Sequence, residues 1–132
     1  MTLKLLLLGF WTAWFAIVTA TNALGISANY QAIVKATAKY KPPQWLPRLL
    51  FAAVIAWQAV TTALLARALA LSLSHGEVDL AAATLALGSG IALWAAFMLA
   101  DEITLKYEFE RTHELLFIAQ LATLLALHVL PD

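Results

Sequence analysis

The residues best equipped for chemistry crowd into one stretch, "DEITLKYEFERTHE" at 101–114, which holds five of the chain's eight carboxylates and one of its three histidines. Within it Glu110 and His113 form a Glu-x-x-His unit. On a helix, side chains at i and i+3 point to one side, as carboxylate-bridged di-iron bundles require. Such a centre needs two of these units and two more carboxylates from other helices. Here there is one unit, and Asp101, Glu102, Glu108 and Glu114, or a second subunit, would have to complete it. Glu110 and His113 are therefore an unfinished ligand set, and no bound metal is expected. The same charges have plainer roles. Alternation of apolar and polar residues from Ile103 to Glu110 suits an extended turn at a membrane surface. Alternatively, Glu102–Lys106 and Lys106–Glu110 are i,i+4 pairs that would prolong a helix into water. On either reading Asp101, Glu102, Glu110 and His113 anchor a turn or meet a partner, and no catalytic residue is assigned.

A second group of candidates lies deeper. Gln58 and Gln120 fall near the middle of apolar runs, with Thr12, Thr19, Thr61 and Thr62 adding hydroxyls. Polar residues at membrane depth mark either functional routes or packing contacts. Two glutamines can satisfy one another across a helix pair, worth about 0.6 kcal/mol on average. Together with Asn22, Trp57 and Trp94 they are the candidates for ligand contact or packing. Haem is not expected: His113 and His128 lie 15 residues apart, about 22 Å along one helix, and His75, in a connector, is the only histidine left to oppose them. The absence of cysteine excludes disulfides, thiolate metal sites and cysteine nucleophiles. No cofactor is expected.

The elements that must carry these residues are membrane helices. The chain is 63% hydrophobic and only 12% charged, against roughly half and a quarter in soluble domains; there is too little polar surface to cover a water-soluble fold. A net charge of zero gives no field for nucleic acid. Four segments, approximately 3–24, 48–72, 79–101 and 110–130, reach the roughly 20 apolar residues that a span needs. The expectation is one all-α membrane domain over 1–132: a four-transmembrane-helix bundle. Lys4 and the apolar run after it resemble a secretory signal, but the run continues to about Leu24 and is read as a retained first helix.

Between the first two spans, Ile26, Tyr30, Ile33, Val34 and Thr37 recur at helical spacing, with Lys35 and Lys39 off that stripe. This predicts a short amphipathic interfacial helix, with an ordered loop as the alternative. Asn29 is read as its N-cap. Pro42 and Pro43 end it, Trp45 suits the headgroup layer, and Pro47 the first turn of span two. The connector "SLSHGEVD" makes spans two and three a hairpin. Arg67 is expected to reach outward towards Glu77, Asp79 or Asp132. Lys35, Lys39, Lys41, Arg48, Lys106 and Arg111 lie on one side against Lys4 and Arg67 on the other. That bias predicts connectors one and three in the cytoplasm and both termini outside.

Ala82, Ala86 and Gly90 form a small-residue stripe on span three that allows close helix approach. The chain also resembles a bacterial family of predicted small four-span integral membrane proteins of unknown function. Asn22 and Asn29 with Tyr30 resemble that family's paired asparagines. "IAWQAVTTALL" at 55–65 is similar to its span-two motif, with Gln58 where an acid is expected. "LGSGIALWAAF" at 87–97 resembles its span three, and Glu102 falls at its Gly-Gly-Glu turn, here Ala100-Asp101-Glu102. The resemblance implies a fold, a bacterial inner membrane location and no activity. The leading functional expectation is a non-enzymatic accessory or assembly subunit of a larger membrane complex, partnered by the lipid bilayer and by another membrane protein or a second copy. The alternatives are a binding or transport unit for a quinone or lipid, and a metal-binding membrane protein.

Overall fold

The computed structural model describes residues 3–104 and 110–131. They form five α-helices: α1 (Leu3–Leu24), α2 (Ile26–Thr37), α3 (Trp45–His75), α4 (Leu80–Thr104) and α5 (Glu110–Val129), with a 3-10 turn at Ala38–Tyr40 after α2. The helices α1, α3, α4 and α5 are each long and apolar enough to cross a membrane. This is the expected all-α, multi-pass four-helix bundle. In lipid, helices are the open-ended way to satisfy every backbone group internally. The 31 residues of α3 extend about 46 Å, more than the roughly 30 Å hydrocarbon layer, so α3 projects beyond it or tilts.

Each boundary has a local cause. Gly25 interrupts α1 and α2 with ψ near 26°, yet its N–H still donates to the Thr21 carbonyl at 2.8 Å. The chain therefore bends there and resumes a helix at once. Asn29, expected as the N-cap of α2, instead lies inside it, because the helix already begins at Ile26 and has no side-chain cap. Pro42 and Pro43 precede α3 and Pro47 sits buried in its first turn. At the far end Gly76 takes the left-handed φ of 78°, a conformation glycine adopts without a Cβ clash. Asp79 then caps α4, its carboxylate accepting the Ala82 N–H at 2.9 Å.

Around the bundle α1 packs on α3, α3 on α4, and α4 on α5, while α2 lies against α3. Hydrogen bonds join the four long helices: Thr19 with Thr62 at 2.9 Å, Thr61 with Ser89 at 2.8 Å, Thr84 with His128 at 3.0 Å, and Trp11 Nε1 of α1 donating to Thr123 of α5 at 2.9 Å. Lipid supplies no hydrophobic drive between helices, so such bonds and close packing carry association. Arg67 is exposed and forms no ion pair among the described residues.

The core is lopsided. Leu5, Leu8, Trp11 and Phe15 of α1 pack with Leu65, Ala68, Ala83, Leu87 and Leu127. These come from residues 5–15 of α1, the last half of α3, the first half of α4 and the end of α5, and Leu93 and Trp94 continue the core just past the middle of α4. The bundle is solid at the end carrying the α3–α4 turn and opens towards the end where α2 lies.

Candidate functional site

At that open end a cleft of about 350 Å³ is lined by Trp14, Val18 and Asn22 of α1, Asn29, Ala32 and Ile33 of α2, Phe51, Val54, Ile55 and Gln58 of α3, Trp94 and Phe97 of α4, and Thr112, His113 and Leu116 of α5. It is a concave, mainly apolar space with a few convergent polar groups, the usual make-up of a small-molecule site. Every helix contributes, because α2 folds back across the gap that the four spans leave.

The first polar group is a relay of amides. Asn29 Nδ2 donates to Asn22 Oδ1 at 3.2 Å, and Asn22 Nδ2 donates to Gln58 Oε1 at 2.9 Å. The bend at Gly25 is what brings Asn29 back over Asn22; a Cβ at Gly25 would stand 3.2 Å from Asn29 Nδ2. The relay ends on the Gln58 NH2. Gln58 is only 2% exposed, yet its Nε2 meets no protein acceptor among the described residues and is not sealed from the surface. It lines the cleft, so this donor is presented there. Buried donors of this kind are ordinarily satisfied.

The second polar group is a dyad. His113 Nδ1 and Asp101 Oδ2 are 2.7 Å apart, with side chains 20% and 14% exposed. The imidazole stacks on Phe97 at 4.9 Å and 26°, and on Trp94 at 6.4 Å and 18°. Two aromatic faces and a carboxylate hold the ring, and Nε2 is its nitrogen left for another partner. An ionised carboxylate only accepts, so it favours the proton on Nδ1 of the neutral ring.

The remaining candidates disperse. Gln120 does not meet Gln58; it is fully buried behind the cleft wall, where Trp94 Nε1 donates to its Oε1 at 2.8 Å. The reason is azimuth: Gln58 faces α1, and Gln120 faces α4. Gln120 lies against Gly90 so closely that a Cβ there would sit 2.4 Å from Nε2, and that Nε2 has no partner among the described residues. Trp57 lies outside the cleft, its Nε1 donating to Ser89 at 3.2 Å. Glu102 and Glu110 line a separate groove of about 330 Å³ with Ala95, Met98, Leu99 and Phe117. The Glu-x-x-His unit is thus split between two grooves, and among the described residues no three His, Cys, Asp or Glu side chains gather as a metal site. Glu108 and the Lys106 pairs lie outside the described residues.

Sequence reasoning named Asn22, Gln58, Trp94, Asp101 and His113 but did not join them. It missed Phe51, Phe97 and the lining role of Asn29. A usable signal was present: Phe97 and Asp101 are i,i+4, one helical turn apart on a single face. Comparison of the chain with protein-family models, with curated proteins and with solved structures finds no match.

Proposed function

We propose that this protein is a membrane-embedded binding or transport unit for a neutral lipophilic small molecule, held in the cleft between α2 and the four spans. The observation that carries this reading is the Gln58 N–H donor, on a side chain nine-tenths buried and without a protein acceptor among the described residues, at a cleft with aromatic walls. Among the described residues no Lys, Arg, Asp or Glu lines that cleft, which supports a neutral occupant over a charged one, since an unpaired buried charge is costly. The accessory-subunit role expected from the sequence is compatible with this, because such a subunit can carry a small molecule for its complex. Mass analysis of the lipids that co-purify in mild detergent tests the reading. It expects one organic species at about one copy per chain, and an extract that only mirrors bulk lipid removes it.

The resemblance to a bacterial family of small membrane proteins supports an inner membrane placement, and the Lys/Arg bias supports α2 and the α4–α5 connector on the cytoplasmic side. The cleft then opens at the cytoplasmic half. The chain has no cysteine, so single replacements report sidedness cleanly. On intact spheroplasts an impermeant maleimide is expected to label Glu77→Cys and to spare Lys41→Cys; the reverse pattern inverts the topology.

A further inference from the structure

The chemistry of the cleft lining narrows the occupant further, in a step that rests on the binding role proposed above. We infer that its head is a quinone-class ring, with one oxygen taken by the Gln58 amide and another by His113. Four observations converge. Trp14, Phe51, Trp94 and Phe97 line the cleft together with the His113 ring, and a flat head can stack or meet edges among them. Gln58 is nine-tenths buried and its N–H donor meets no protein acceptor among the described residues, so the head must offer an acceptor oxygen. His113 has Nδ1 tied to Asp101 and only Nε2 to offer; with the proton on Nδ1, Nε2 accepts from a ring hydroxyl. Among the described residues no Lys or Arg lines the space, and His113 is already paired with the Asp101 carboxylate, so a lipid phosphate would lose its water without gaining a counter-charge.

A quaternary ammonium would suit aromatic walls, but the Gln58 N–H would then point at a cation. A bare hydrocarbon would leave the same donor unpaired. A quinone-class head can offer an oxygen to each of these two polar groups and has the lipid solubility to reach the cleft from the bilayer. The assignment concerns binding alone and requires no electron transfer.

Calorimetric titration of the detergent-solubilised protein with three probes sharing one tail tests this: a decyl-substituted hydroquinone kept reduced, decylbenzene and decyltrimethylammonium. One hydroquinone oxygen can accept from Gln58 while the other hydroxyl donates to His113 Nε2, so it is expected to bind at least about tenfold tighter than decylbenzene, as two net hydrogen bonds would give. Gln58→Met and His113→Leu are each expected to weaken the hydroquinone about three- to tenfold and to leave decylbenzene unchanged, while Glu110→Gln, in the other groove, changes neither. Equal binding of the three probes, a preference for the ammonium, or a hydroquinone preference that survives both variants overturns the assignment. The comparison on unsubstituted protein decides the matter even where a variant fails to fold. If a single lipophile outside this class co-purifies while the decyl hydroquinone fails to bind, the binding role stands and the quinone-class head falls.

Discussion

At the scale of single residues, the contact between Gly90 and Gln120 sets how closely α4 and α5 approach. A methyl group at Gly90 would collide with the Gln120 amide, which is fully buried and cannot move without breaking its bond from Trp94. Gly90→Ala is therefore expected to destabilise the bundle by about 1–3 kcal/mol, the usual cost of overpacking. Gly88→Ala, which meets nothing within 4 Å, serves as the control and should gain slightly from helix propensity. Thermal unfolding in one detergent compares them, and equal melting temperatures would remove the argument. The two deep glutamines were legible as buried polar residues, since their depth follows from position along an apolar run. Their partners were not, because depth says nothing about which way a side chain faces around the helix axis. The same limit hid the His113–Asp101 pair, whose members stand at the facing ends of two helices.

At the scale of elements, the four spans could be read almost to their ends, because length and apolarity alone define them. The course of α2 was harder. Its stripe predicted an amphipathic helix, and Tyr30, Ile33, Val34 and Thr37 are half-buried, with Tyr30 edge-on to Phe51 of α3 at 6.0 Å, while Ile26 at its start is exposed. What the stripe did not reveal is that α2 also closes the cleft through Asn29 and Ile33. Two ties hold it there: the Asn29–Asn22 bond, and the Tyr40 hydroxyl, which donates to the Ile103 carbonyl at the end of α4. The second tie spans 63 residues and left no local trace in the sequence. Tyr40→Phe keeps the ring and removes only the tie, worth about 1 kcal/mol. Amide exchange across residues 26–40 is expected to quicken about fivefold, while exchange in α3 stays unchanged. Unaltered exchange in α2 would show that Tyr40 does not restrain it.

At the scale of the whole molecule, a close-packed core and an open cleft divide the bundle between its two ends. One end is a tight Leu, Ala and Phe core; the other gives up that packing to form a cleft bearing amides, aromatic rings and an imidazole. A chain needing only to be stable in lipid would gain by filling the cleft with side chains, as close-packed interiors do. The central claim is that a neutral lipophile occupies it instead. Ala32 borders the cleft from α2 and is exposed, so Ala32→Trp can fill the space without disturbing the core. Native mass spectrometry of the two proteins, purified in parallel from the same membranes, tests the claim most directly. One bound small molecule per unsubstituted chain and none on Ala32→Trp are expected, with equal thermal stability once the ligand is removed. The same adduct on both proteins, or no adduct on either, would contradict it.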